Sequence, residues 1–333
     1  MTPIQLYLLG KNNGFRPVWI MRQAGRYLPE FRKIRKKNKN FIKLCLNKNL
    51  VPKITLQPLE RFKLDAAIIF SDILMLPYAL GQDVQFEKNL GPILGDLNIK
   101  EIKNITNKDF SMKLKPVYDS VKIVSKSRLL VNKDLIGFAG SPWTILLYMM
   151  NKSSPKNKLS SKFLEDKILI KETLDLLCNF TKLHIHNQIK NGATIIQLFD
   201  SWAGLVKNNY LEEYVFKQNK KIVDFVKRLN VPVICFPKGI KNYYDFVKYV
   251  KPNVISIDYN TNPKKILKKI NIPIQGGINP KLLLGSKKKL KKEVEKYIEI
   301  FKNYPYIFNL GHGILPETKP LMVEYFINLI KQK

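Results

Sequence analysis

Cysteine is scarce in this 333-residue chain: Cys45, Cys178 and Cys235 are its only three, and they lie far apart. That excludes a disulfide framework and any Cys-x-x-Cys metal or redox motif, and a reduced, cytoplasmic compartment is expected. Long apolar runs are missing too. The best, Leu64–Leu80, is interrupted by Asp65, Asp72 and Pro77. No stretch reaches the roughly 18 residues of a membrane span, so no membrane association is expected. Met1–Gly14 has neither a basic start nor a small-residue cleavage site, and no signal peptide is read there. Acids are few: 26 Asp and Glu stand against 58 Lys and Arg, a formal net charge of +32. Histidine and tryptophan, three of each, are rare as well.

What is present describes a globular protein. A hydrophobic fraction of 45% with 25% charged residues rules out wholesale disorder. The length suits one large domain, and no linker rich in Pro, Ser or Gly divides it. The charge has two readings. One is a polyanionic partner. The other is compositional drift, because only eight of the 58 basic residues are Arg and Asn and Ile are also abundant. Five of those eight, Arg16, Arg22, Arg26, Arg32 and Arg35, fall in the first 35 residues. Where Lys is the default cation, clustered Arg suggests sites that need a planar fork for carboxylate or phosphate.

No sequence repeat is found, but an alternation recurs. Short apolar runs lie at Val18–Met21, Ala66–Phe70, Leu135–Ala139, Thr194–Phe199, Pro232–Phe236, Val254–Ile257, Ile272–Gln275 and Ile307–Leu310. They are too uniformly apolar for half-exposed strands and read as a parallel sheet buried on both faces. Amphipathic stretches intervene. Phe163–Ile189 carries Leu164, Ile168, Leu174, Leu177 and Phe180 at helical spacing; Tyr210–Leu229, Lys287–Phe301 and Thr318–Ile330 read the same way. The Lys face of Lys287–Phe301 is read as solvated. Lys88–Lys115 does not fit the repeat and is expected to be an insertion or extended loop. Eight such units predict an α/β fold, a single (β/α)₈ TIM barrel over residues 1–333. An open doubly wound sheet is disfavoured because no phosphate-loop motif is present.

In a barrel, chemistry sits where strands run out into their loops. Those positions hold Met21–Tyr27, Phe70–Asp72, Gly140–Trp143, Asp200–Gly204, Pro237–Gly239, Asp258–Tyr259, Gly276–Gly277 and Gly311–Gly313. Trp19, Trp143, Trp202 and His312 fall in or beside them. Arg22 and Arg26 in one loop suit a ligand with several carboxylates, and Gly25 permits close backbone approach. Asp72 is a lone acid that reads equally as a helix cap or a ligand contact. His312, between two glycines, reads as a site residue; His184 and His186, inside a helical stretch, read as structural. Ser201 lacks the Gly-x-Ser-x-Gly context of a nucleophile elbow. Metal binding is not expected, since no ligand-spaced motif occurs.

Four blocks now carry a resemblance. Pro17-Val18-Trp19-Ile20-Met21-Arg22-Gln23-Ala24-Gly25-Arg26-Tyr27-Leu28-Pro29-Glu30 closely resembles the N-terminal signature of the uroporphyrinogen decarboxylase family. Gly137-Phe138-Ala139-Gly140-Ser141-Pro142-Trp143-Thr144 resembles its second signature, and Leu64–Leu74 and Asn309–Ile314 match further blocks. The order is right and the whole chain is covered. The resemblance implies a single-domain barrel, a homodimer, a cleft at the C-terminal face of the strands, and no metal or other cofactor. It implies conversion of uroporphyrinogen III to coproporphyrinogen III in haem biosynthesis, four acetates becoming methyl groups with loss of CO₂. It places Arg22, Gln23, Ala24, Gly25, Arg26, Arg35, Asp72, Tyr148, Ser201 and His312 on the substrate, with Asp72 the catalytic acid and Tyr148 a possible hydrogen-bond support for it. The chain departs from the family at Gly276-Gly277-Ile278-Asn279-Pro280 and at Pro320-Leu321, neither of which touches the acid or the Arg loop.

The chemistry agrees with that implication. An octacarboxylate needs an Arg-lined cleft to leave water. Protonating a pyrrole α-carbon turns the ring into its own electron sink, so no cofactor is required. An ionised Asp72 among the pyrrole N–H groups would stabilise the cationic ring; an Arg–carboxylate pair or water are candidates to deliver the proton. Two alternatives differ in class. Zinc-dependent methyltransferases resemble this fold, but Cys235 has no His two residues before it and no Cys follows Gly276. A nucleic-acid-binding protein would explain +32, but not the acid, Trp and His at the strand ends, and no nucleic-acid-binding motif is present.

Overall fold

The structure is a computed structural model, and it describes residues 1–11, 14–87, 90–155 and 166–332. Seven of the eight expected runs pair side by side in one parallel sheet. Its strands are β1 (Ala66–Ile68), β4 (Asp134–Gly140), β5 (Ile195–Asp200), β6 (Val233–Pro237), β7 (Val254–Ile257), β8 (Ile274–Gly276) and β9 (Tyr306–Ile307), in that spatial order. Every residue of β4, β6 and β7 is buried. Continuous burial is why these runs lack polar alternation: helices cover the outer face and side chains fill the inner one. Helices follow most strands, as the right-handed crossover of a parallel sheet requires.

The eighth run, Val18–Met21, is reduced to a bridge. Val18 pairs in parallel with Phe308. Phe308 N–H donates to the Pro17 carbonyl (2.8 Å) and Trp19 N–H to the Phe308 carbonyl (3.3 Å). On its other side the Val18 carbonyl accepts from Asp65 N–H (3.0 Å). The Val18 N–H donates to the Asp65 carboxylate at 2.7 Å, where a strand would offer a carbonyl. That substitution ends regular pairing, and Lys331 balances the carboxylate at 2.6 Å. The segment thus joins the last strand to the first and closes the curl of the sheet.

Trp19 faces inward rather than to the strand ends. It is fully buried, and its indole N–H donates to Gln275 Oε1 at 2.8 Å. Gln275 donates in turn to Gln197 (3.1 Å) and Ser256 (3.2 Å). The interior is therefore crossed by a polar network that its apolar neighbours make costly to break.

β1 leaves the sheet early. Ile69 N–H still reaches Ile136, but Phe70 N–H turns to the Thr55 hydroxyl at 3.0 Å. The freed edge of β4 is satisfied by Gln188, which pairs with both the N–H and the carbonyl of Phe138 (2.9 and 2.8 Å). The splay lets Ser71 and Asp72 turn away from the sheet.

The helices match their sequence patterns closely. Lys167–Lys190, Lys287–Ile300 and Pro320–Lys331 form as expected; Phe163 and Leu164 lie outside the described residues. The stretch expected as one helix from Tyr210 instead has a wider π-type segment, Leu211–Phe216, before the α-helix Lys217–Arg228. The irregular stretch begins before the expected Lys88: the strand β2 (Val84–Glu87) pairs antiparallel with β3 (Gly91–Leu94), and two short helices follow within the expected insertion; Lys88 and Asn89 lie outside the described residues.

All three cysteines are buried thiols. His184 is packed as expected of a structural residue, its Nδ1 3.1 Å from the Tyr118 hydroxyl. Burial lowers its pKa from 6.5 to about 4. The unfolded chain takes up this proton near pH 6.5, while the folded chain resists until about pH 4. The neutral ring therefore contributes stability above pH 6.5 that is lost as pH falls towards 4, on the order of 3 kcal/mol. In His184→Gln, Tm should fall less between pH 7 and pH 4.5 than in the parent; parallel Tm–pH curves would contradict this origin of acid lability.

Candidate active site

The C-terminal ends of the strands meet in a ring of close loop contacts, several needing glycine for lack of space. A Cβ on Gly204 would stand 2.5 Å from the Gly239 carbonyl oxygen. One on Gly311 would stand 2.3 Å from Tyr259 N, and one on Gly313 2.4 Å from Arg22 Cδ. The loops after β5, β6, β7 and β9 and the Arg22 loop are thus fixed against one another.

Asp72 stands half-buried beyond the end of β1. Its Oδ1 accepts from Leu74 N–H at 2.9 Å, a turn that leads into the helix Met75–Ala79. The local cap uses one carboxylate oxygen, and among the described residues the second has no protein donor. Burial pushes the Asp72 carboxyl above its ordinary value, while the Leu74 N–H and the Arg22 charge pull it back. The expected Tyr148 support is not a hydrogen bond here. Tyr148 lies close enough for its phenol to feel the Asp72 charge, and its ring meets Trp202 edge-on, centroids 6.3 Å apart.

The Arg loop is braced from below. Gln23 is fully buried; it donates to the Ala66 carbonyl (2.9 Å) and accepts from Ile20 N–H (3.0 Å). Its side chain thus shapes the loop and is turned away from any ligand. Met21 N–H donates to Asn309 (2.9 Å), and Ile314 N–H to the Met21 carbonyl (3.0 Å). Arg22 carries φ +65°, a left-handed conformation costly for a branched-out side chain and held by these bonds. Gly25 is required sterically: its Cβ would lie 2.9 Å from the Arg22 carbonyl oxygen. Arg22 and Arg26 are exposed, with no protein anion bound among the described residues; Ala24 is half-buried between them.

The other three N-terminal arginines do different work. Arg32 donates to the Arg26 and Tyr27 carbonyls, both at 3.0 Å. Arg35 donates to the Asn38 and Lys39 carbonyls and lies 5.5 Å over the Phe41 ring, near enough to Arg26 to feel its charge. Arg16 lies before the closing bridge, away from the mouth. Arg16 Nη1 is buried without a partner; of the arginines in the loop that follows Met21, Arg22 and Arg26 have no hydrogen-bond or ion-pair partner among the described residues.

Ser201 is half-buried at the end of β5, beside a network that residue patterns did not reveal. Asp200 is buried and accepts from Thr144 Oγ1 (2.6 Å) and Asn219 Nδ2 (2.9 Å). Asn219 also reaches Ser141 (3.0 Å), and the Thr144 hydroxyl accepts from Trp202 N–H (3.1 Å). Trp143 Nε1 donates to the Trp202 carbonyl at 3.1 Å. Trp143 is consequently buried, and Trp202 is the tryptophan that reaches the rim.

His312 is half-buried opposite Arg22. Burial, then the charges of Lys238 and Arg22, drive its pKa to about 3, so it is a neutral ring at physiological pH. Its Nδ1 is buried without a partner. Lys238 and Asp258 were not singled out from sequence. Asp258 accepts from Gly239 N–H (3.0 Å), the Tyr243 hydroxyl (3.1 Å) and Asn260 N–H (2.9 Å), tying two loops together. Their one signal was position at a strand end. Among the described residues no three His, Cys, Asp or Glu side chains gather as metal donors, and no helix is long and apolar enough to cross a membrane.

At the mouth of this barrel-type sheet Asp72 is left with one undonated oxygen beside cations that lack ion-pair partners among the described residues, an arrangement suited to an enzyme whose substrate is rich in carboxylates. The chain belongs to the uroporphyrinogen decarboxylase family: the family profile "Uroporphyrinogen decarboxylase (URO-D)" matches residues 2–333. It is 43% identical to the uroporphyrinogen decarboxylase of Rickettsia bellii (strain RML369-C), over 95% of this chain and 94% of that one. It is 42% identical to that of Rickettsia felis (strain ATCC VR-1525 / URRWXCal2), over 97% and 95%. A methyltransferase from Methanosarcina mazei has a similar structure, with TM-score 0.79 and 17% identity over 99% of this chain and 97% of that one, a likeness of fold alone.

The Arg22–Gly313 contact is testable. Gly313 has no positive φ, so space is its constraint. Gly313→Ala should displace the Arg22 side chain and raise KM for uroporphyrinogen on the order of tenfold with Tm little changed. An unaltered KM would show that Arg22 does not need that room.

Proposed function

We propose that the protein removes CO₂ from the four acetate side chains of uroporphyrinogen III, giving coproporphyrinogen III in haem biosynthesis, without a cofactor. The observation that carries this reading is Asp72, with a free carboxylate oxygen and Arg22 close enough to moderate its charge. Asp72 accepts hydrogen bonds from the pyrrole N–H groups at the centre of the macrocycle. Protonation of a pyrrole α-carbon makes an iminium-like ring. The bond from CH₂ to CO₂⁻ then breaks, its electron pair flows into the ring, and the exocyclic methylene takes up a proton to become methyl. Loss of the α-proton restores the pyrrole. Asp72 offsets the positive charge throughout.

Arg22 and Arg26 bind carboxylates at the rim, with Arg35 outside them. Ser201, His312 and the backbone of Gln23, Ala24 and Gly25 complete the enclosure, and Tyr148 packs the wall beside Asp72. The reading extends to a single domain over residues 1–333, a homodimer, a cytoplasmic location and no nucleic-acid partner. The family match and the gathering of cations round one acid support it.

Anaerobic incubation with uroporphyrinogen III, followed by oxidation and separation of porphyrins, should yield coproporphyrin; folded protein that forms none sinks the proposal. Asp72→Ala should lose at least about 100-fold in kcat and keep the far-ultraviolet circular dichroism of the parent. Full activity would reduce Asp72 to a turn residue. Arg26→Lys retains the charge but loses the bidentate fork. Its KM should rise several-fold while kcat changes little, and equal Michaelis constants would argue against a carboxylate on Arg26.

A further inference from the structure

Lys238 follows β6 and is held rigidly at the mouth. Its N–H donates to the Asp200 carbonyl (3.1 Å), and its carbonyl accepts from Gly204 N–H (3.0 Å). The Gly204–Gly239 contact leaves that backbone no room to move. The ammonium lies 5.7 Å from the centre of the Trp202 ring. The side chain is half-buried, and among the described residues its ammonium has no hydrogen bond and no carboxylate partner. Asp258, whose charge reaches Lys238, is occupied by Gly239, Tyr243, Asn260 and Thr261.

The surroundings make this unusual. Many lysines here are solvated or paired with surface acids, as Lys115 is with Asp119 and Lys220 with Asp224. Lys238 instead shares its space with Arg22, whose charge opposes its own, and with His312. Geometry brings Arg22 to this corner: its Cδ packs 2.4 Å from where a Cβ on Gly313, the residue after His312, would stand. The half-buried ammonium and the buried, unpartnered His312 Nδ1 both stand to gain from an anion entering beside them. The Trp202 face supplies only a partial counter-charge.

We propose that Lys238 is a substrate-binding residue, its ammonium forming with His312 and Arg22 a subsite for one carboxylate of the tetrapyrrole. This rests on the function proposed above and adds to it a residue and a location. Trp202 holds the lysine stem in place, so the ammonium is preorganised. A neutral His312 can then present a ring N–H to the same carboxylate without adding a third charge. The subsite selects for substrates that carry a carboxylate at this point of the periphery.

The probe is uroporphyrin III, the oxidised octacarboxylate, titrated by fluorescence into the full-length protein, beside the decarboxylase assay. Lys238→Met keeps the apolar stem and should weaken uroporphyrin on the order of tenfold. KM should rise by a similar factor, with kcat changed less. Lys238→Arg should recover most of the affinity. In the ligand-free protein, nuclear magnetic resonance should place the His312 pKa higher in Lys238→Met than in the parent; an unchanged value would show that Lys238 does not stand beside His312 and would overturn the shared subsite. If the parent forms coproporphyrinogen while Lys238→Met matches it in uroporphyrin affinity and KM, the Lys238 assignment is overturned and the function stands. If the parent forms none, the function falls and the subsite with it.

Discussion

Closure of the sheet by Pro17–Trp19 is the constraint on which the rest depends. Three backbone hydrogen bonds and one to the Asp65 carboxylate hold this segment between Phe308 and Asp65. Everything C-terminal to it, Met21 to Arg26, is thereby delivered to the mouth rather than left as a tail. The same closure brings the last loop, Gly311–Gly313, against Arg22. Residues nearly three hundred positions apart in the chain become one wall of the site. In a parallel sheet all strands end on one face, so a single closing segment gathers every loop at once.

Electrostatics then shapes what the mouth can hold. Among the described residues Arg22, Arg26 and Lys238 carry charge without ion-pair partners, and burial first, then the neighbouring cations, keep His312 neutral. Asp72 lies near enough to Arg22 for that charge to act on it. Most of the +32 does something else: it lies on outer helix faces, as on Lys287–Ile300, where Leu290, Val294 and Tyr297 alone are buried. A broad positive field can speed capture of a polyanion without selecting among polyanions, which takes cations fixed in place.

Much of the site was legible because the motif residues are chemically distinctive. Asp72 is the lone acid after an apolar run, and two Arg in one loop stand out among fifty Lys. Lys238 did not stand out for the same reason, being one Lys of many; only its place beside Trp202 and its lack of a carboxylate mark it. Gln23 and Arg32 fall inside or beside the Arg motif yet spend their side chains on backbone groups. A motif records what a loop needs as a whole, bracing included, and does not separate the braces from the ligands. Trp19 shows the same limit: its rarity suggested a site, and its indole instead serves the polar network inside the sheet.

By itself the sequence determined the repeating strand–helix order, the parallel sheet and the family, because apolar periodicity and motif residues are local properties of the chain. It also determined that a carboxylate-rich ligand was the natural partner of the Arg loop. Tertiary structure alone decided which cations lack partners among the described residues, that Asp72 caps a turn with one oxygen, and that the loops carrying Arg22 and Gly313 pack against each other. Those outcomes depend on burial and on which partner reaches a group first. Both are set by loops from distant parts of the chain packed at glycine contacts, and no local pattern encodes them.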